Sequence, residues 1–357
     1  MNNNILKYTI MKKIILFVLL LSIVSLSQAT IINVDNNANR PSGYQKNLQA
    51  AISNASAGDT IYVYPSNTTY GTITISKKLH LFGFGYDGTT GAVSKVTSFY
   101  LDTTTTPSSN PSGTSIQGFT VINYISCQKP NITDIVVAGN NLDYYHNTIN
   151  LSTNCSGWLI TNNYIYGYVN LNNNTSIIIS NNVFKNHGYG IRTSNSSTVV
   201  ISNNLFMQWS YFNAVYNATI GNNIFICSGN SYTGTTMANN IFSNNISYCS
   251  NSSYTYSLPP YGNSGSGNKQ NQNPSFVTGT TTSSGYDFSK DYHLQSTSPG
   301  KNAGTDGTDI GQYGGNSPFV WGGAFSIPKV TQMIIMNPII NQGTNINVNV
   351  KAKKADL

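Results

Sequence analysis

The sequence predicts an all-β solenoid, a rod of short strands wound into stacked coils. Three observations predict it. An Asn-Asn pair recurs at Asn140-Asn141, Asn162-Asn163, Asn181-Asn182, Asn203-Asn204, Asn222-Asn223 and, more loosely, Asn239-Asn240, with first residues 22, 19, 22, 19 and 17 apart. Most pairs follow a short apolar run and precede an apolar-aromatic pair, as with Ile177 to Ser180 before Asn181 and Val183-Phe184 after Asn182. The runs are β-branched and broken by Asn, Gly and Ser, with neither a leucine lattice nor a 3.6-residue apolar period.

A unit near 20 residues cannot bury its own apolar face, so units must stack to form a core. Asn suits the bend between strands because it tolerates the left-handed backbone. Stacked one above another, Asn side chains can hydrogen-bond along the rod. The phrase "ISNN, apolar, Phe" at this spacing resembles the right-handed parallel β-helix of the pectate-lyase-like superfamily. The resemblance implies a single-stranded right-handed parallel β-helix over residues 30–315, with a short N-terminal cap helix. Residues 316–357 are expected to form a C-terminal β-strand tail, either a hairpin or a cap.

Residues 1–29 read as a secretory signal. Lys12 and Lys13 precede the apolar run Ile14 to Val24, and Ser27 and Ala29 are small enough for cleavage. The run is too short for a membrane span, so the mature chain is expected to be secreted, periplasmic or on the cell surface. Next, Gly43 to Ala57 reads as a helix with Leu48, Ala51 and Ile52 on one face. Gly58-Asp59 turns the chain into strands Thr60 to Tyr64, Thr72 to Ser76 and Lys78 to Gly83. This order resembles the amino-terminal cap and first coils of the superfamily, and a cap is required because an open end exposes core and unpaired strand edges.

Thr103 to Ser115 reads as a loop, followed by coils from Ile116 to about Cys249. Ser250 to Pro274 reads as a loop leaving the stack. Asp291 to Gly315 resembles a closing coil, with Asp306 and Asp309 fixing turns. In the tail, Ile327 to Met336 and Asn345 to Ala352 read as two strands with Gly343 between them. Cys227 and Cys249 each lie five residues after the first Asn of a pair. They are therefore expected side by side, as a disulfide or as two buried thiols, with Cys127 and Cys155 a weaker pair.

Without Lys7, Lys12 and Lys13, the 18 basic residues fall to 15 against 11 acidic, a net of +4 with no basic cluster. Nucleic acid is not an expected partner. No Cys or His spacing reads as a metal site, no cofactor is implied, and a monomer is expected. Members of the superfamily bind polysaccharide along the groove of each coil's first strand. Carried onto this chain, that groove takes His146, Tyr168, His187 and Trp209 as a column six residues after each pair. Asn150, Asn170, Arg192 and Asn213 lie on the neighbouring strand.

The chain contains no Glu, and Asp134 and Asp143 are the only carboxylates between Thr103 and Tyr286. The paired acids of a glycosidase and the acidic ligands of a calcium-dependent lyase are therefore missing. The chemistry left open is metal-free β-elimination on a uronic acid, with Lys185 and Arg192 holding the acid and His187 or Tyr189 as base. Glycan binding without cleavage and a structural or adhesive solenoid are the other readings.

Overall fold

The computed structural model describes residues 29–323 except 87–91, 104–108, 145, 186–188, 195–196, 208–210, 228–236, 252, 255 and 282–285, and also residues 329–335 and 348–353. Residues 1–28 of the expected signal, which spans 1–29, lie outside the described residues. Among the described residues the chain is a parallel β-helix whose three sheets have seven, eleven and eight strands. Each full coil runs through a first-sheet strand such as Tyr168–Asn172, a second-sheet strand such as Thr175–Ser180 and a short third-sheet strand such as Val183–Phe184. Every inter-coil pairing in these sheets is parallel, for example Ile177↔Val199, Ile179↔Ile201 and Val183↔Leu205. Side chains alternate, so Ile177 and Ile179 are buried while Ile178 is 43% exposed.

The Asn pairs make the corner between second and third sheets. Asn162, Asn181, Asn203 and Asn222 have φ of 53 to 57°, the left-handed bend expected of them. The residue after each turns inward. Asn140, Asn163, Asn182, Asn204, Asn223, Asn245 and Asn268 form one ladder in which each Nδ2 donates to the next Oδ1 at 3.0 Å. Each Oδ1 also accepts a backbone N–H from the coil before it, as Asn182 does from Asn163 at 2.9 Å. A buried amide satisfied on both sides is stable there; a lone one would not be.

The ladder corrects the frame of two pairs. Asn140 is the inward residue of its corner and Gly139, at φ 61°, is the left-handed one. Asn239-Asn240 lies on the other Asn corner, ahead of the second-sheet strand Ile241–Ser243, where Asn240 Nδ2 donates to Asn263 Oδ1 at 2.7 Å. The main ladder passes instead through Asn244-Asn245. Ser250 to Pro274 does not leave the stack. Ser264–Ser266 pairs with Ile241–Ser243, while Tyr256 stacks on Phe225 at 5.1 Å and plugs the end of the core. The coil escaped notice because Ser-Gly-Ser carries no apolar signal. Gly265 has no room for a side chain, since a Cβ there would lie 1.7 Å from the Phe242 carbonyl oxygen.

Residues 273–323 do not close the stack as a coil; they run back along it as a strap. At four corners the outward Asn holds the strap: Asn244 Nδ2 to Ala303 O, Asn222 to Thr305, Asn181 to Gln312 O and Gly314 O, and Asn162 to Ser317 O. Phe276, Tyr292, Leu294, Ile310 and Phe319 of the strap bury the outer face of the third sheet, made of Val183, Leu205, Ile224 and Ile246. Those strands are covered on both sides, which explains their unbroken apolar pairs. Asp306 and Asp309 fix turns as expected, accepting from Thr308 N at 3.0 Å and Asn302 N at 2.9 Å.

At the other end the helix Leu48–Asn54 buries Leu48, Ala51 and Ile52 over the first coil, with Asn47 as N-cap accepting from Ala50 N. Asp59 binds this cap, taking Thr30 N on Oδ1 and Ser56 N on Oδ2. Cys227 and Cys249 pair in register as a disulfide. Cys127 and Cys155 are unbonded, buried, and 3.3 Å apart at sulfur. Lys329–Ile335 and Val348–Lys353 form the expected C-terminal hairpin, antiparallel; Gly343 lies outside the described residues.

Candidate functional site

The outer face of the first sheet is built by strand alternation. Val169 and Leu171 point into the core, so Tyr168, Asn170 and Asn172 point out. Pairing then fixes one column through all seven strands: Thr74, Tyr100, Ser126, Asn150, Asn170, Arg192 and Asn213. The expected set Asn150, Asn170, Arg192 and Asn213 is thus one continuous row. Asn170 Nδ2 donates to Asn150 Oδ1 at 2.7 Å, and Arg192 is exposed beside it. At strand spacing the seven positions span roughly 29 Å, several sugar units long.

The column of His146, Tyr168, His187 and Trp209 does not form as counted. Tyr168 is in register with Asn147, and exposed His146 sits one residue earlier with its carbonyl accepting from Tyr168 N. His187 and Trp209 lie outside the described residues. Offsets from the Asn corner fail here because the loop between third and first sheets changes length from coil to coil.

Sequence reasoning missed Tyr100 and Tyr124. Their hydroxyls hydrogen-bond, their rings lie 5.5 Å apart, and Tyr124 continues to Tyr144 at 6.4 Å and Tyr144 to His146 at 5.4 Å. Hydrogen bonding to Tyr124, then burial, raises the Tyr100 phenol above its ordinary range, so it stays neutral at physiological pH. The signal was present in the sequence, since Tyr124 follows Tyr100 by 24 residues, close to one coil. It was obscured by the lack of an Asn pair in those coils.

Of the four candidate catalytic residues, Lys185 and Arg192 stand on different sheets, while His187 and the side chain of Tyr189 lie outside the described residues. Lys185 follows the third-sheet strand and is in register with Tyr166; its Nζ lies 4.9 Å from the Tyr166 ring centre and 5.9 Å from that of Tyr164. Arg192 stands in the first-sheet column. The Tyr189 backbone pairs with Tyr211. Asp134 enters the second sheet at the corner before Val136, and Asp143 leaves the third sheet after Leu142, so the two carboxylates occupy different corners. Among the described residues no group of three or more His, Cys or Asp could hold a metal ion.

The strap adds an aromatic step beside Lys185. Phe288 stacks on Trp321 at 3.8 Å and edges against Tyr164 at 4.7 Å. Burial drives the Tyr164 phenol far above its ordinary value, so it titrates outside any physiological range.

No protein-family model and no curated protein matches the sequence. Among solved structures, the crystal structure of pectate lyase Pel9A is similar over 80% of this chain and 96% of that one, at 16% identity and a TM-score of 0.36. The fold assignment rests on the coil pairing itself.

Proposed function

We propose that this protein is an exported β-helix that binds a polysaccharide, or the glycan of a cell surface, along the outer face of its first sheet without cleaving it. The observation that carries this reading is the in-register row Asn150, Asn170, Arg192 and Asn213, beside the ring series Tyr100, Tyr124, Tyr144 and His146. Amides and a guanidinium offer fixed hydrogen bonds to sugar hydroxyls, and aromatic rings offer apolar faces to pyranose rings. A row at constant spacing suits a ligand that itself repeats. Binding is favoured over elimination because the Lys185 ammonium is engaged with the Tyr166 and Tyr164 rings.

Glycan-array binding and affinity electrophoresis test the reading. Arg192→Ala and Tyr168→Ala are each expected to weaken retention at least tenfold with the fold intact. Absence of binding to every glycan would leave a protein-binding solenoid in its place. Unsaturated sugar ends, detected by ultraviolet absorbance after incubation with uronic-acid polymers, would replace binding by a metal-independent lyase.

A further inference from the structure

The chain has four cysteines, and its two pairs differ in placement. Cys227 and Cys249 face each other in one register of the third sheet and are bonded. Cys127 and Cys155 are not in register. Cys127 ends the first-sheet strand Ile125–Cys127, whose Ile125 and Ser126 pair with Ile149 and Asn150 of the next coil. Cys155 comes later in that next coil, at the corner ahead of the second-sheet strand Leu159–Thr161. There its N–H donates to Asn174 Oδ1 at 2.7 Å. The two sulfurs nevertheless meet at 3.3 Å, and both residues are buried.

A free Cys packs readily as a small apolar residue, so burial alone says little. Contact between two sulfurs says more. Closing the gap to a bond of about 2.0 Å takes a movement of roughly 1.3 Å, which side-chain rotation can supply. Paired thiols also hold metals, but among the described residues no third His, Cys or Asp joins this pair. Between the two cysteines, Gln128, Lys129, Pro130 and Asn131 are all exposed, and Asn131 takes the left-handed bend at φ 64°. The Lys129 carbonyl accepts from the Cys127 thiol at 3.1 Å, which folds this segment over the pair.

We propose that Cys127 and Cys155 are the site of an oxidative cross-link, a second disulfide that ties the end of one first-sheet strand to the corner of the following coil. The bond braces the exposed segment 128–131, next to Ser126 of the outward row. The oxidising compartment it needs is the one that export supplies. The step is thiol–disulfide exchange. Cys127 and Cys155 give up two protons and two electrons, and an S–S bond forms between them. The S–S bond of a disulfide oxidant breaks to two thiols, which take the protons. Both sulfurs are covered in the finished rod, so the exchange takes place while the coils assemble.

Refolding the full chain without residues 1–29, from its reduced and denatured form in oxidised and reduced glutathione, tests this. Trypsin does not cut Lys129-Pro130, so residues 96–185 stay in one peptide with Cys127 and Cys155, while residues 193–269 hold Cys227 and Cys249. After denaturation and alkylation without reductant, the 96–185 peptide should be two hydrogens lighter than its reduced form and carry no alkyl group. In the double variant Cys227→Ala, Cys249→Ala, the only cysteines left are Cys127 and Cys155. Oxidation of that chain should lower its unfolding equilibrium constant about a hundredfold relative to the same chain reduced. Two alkyl groups on the 96–185 peptide, or a cross-link between the two peptides, overturns the inference. Equal stability of the oxidised and reduced double variant overturns it as well.

Discussion

Two corners of the same coil behave in opposite ways. At the corner between second and third sheets, a left-handed residue followed by an inward Asn repeats from Gly139-Asn140 to Gly267-Asn268 with no insertion. At the corner between third and first sheets, the chain takes loops of varying length, and the aromatic and charged residues gather there. The first corner is constrained on both sides, by the buried ladder within and by the strap without. Regularity at the first corner marks the scaffold, and the varying loops of the second flank the outward row of the first sheet.

The sharpest way to break that comparison is Asn182→Ala. It strands the Asn163 amide and backbone N–H, and leaves the Ile160 and Ser180 carbonyls short of a donor. At about 1 kcal/mol or more for each orphaned group, a loss of about 3–5 kcal/mol is expected in denaturant unfolding. Asn181→Gly keeps the bend but releases the strap carbonyls of Gln312 and Gly314, and should cost about 1–2 kcal/mol. Equal losses at the two positions would mean that ladder and strap are one cooperative unit.

Asn170→Ala tests the other surface. Among the described residues its amide bonds only to another outward Asn, so stability should change by about 0.5 kcal/mol or less while glycan retention falls about tenfold. A variant that lost stability instead would make the row a structural ladder like its neighbour.

The smallest effect is expected at the capped end. Burial acts to raise the Asp59 pKa, but backbone N–H bonds from Thr30 and Ser56 outweigh it and hold the carboxyl below its ordinary 3.8. The folded carboxyl binds its proton less tightly than the unfolded one. Its contribution is therefore complete above 3.8 and is lost as pH falls through the folded value. Acid unfolding of Asp59→Asn should show a shallower pH dependence in that window than the wild type.

The sequence by itself determined the coil. Local chemistry suffices for that: Asn at a left-handed bend, β-branched residues on either side, and a helix with Leu48, Ala51 and Ile52 in phase. The same local reading placed Cys227 against Cys249 and aligned Asn150, Asn170, Arg192 and Asn213, because strand-to-strand register propagates wherever coils have matching strands. Only the tertiary structure decided the rest. It assigned Asn239-Asn240 to the opposite corner, gave Ser264–Ser266 to the stack and turned residues 273–323 back along the rod. Those outcomes depend on contacts between residues up to 158 positions apart, such as Asn162 with Val320, whose partners share no period and leave no mark in the local pattern.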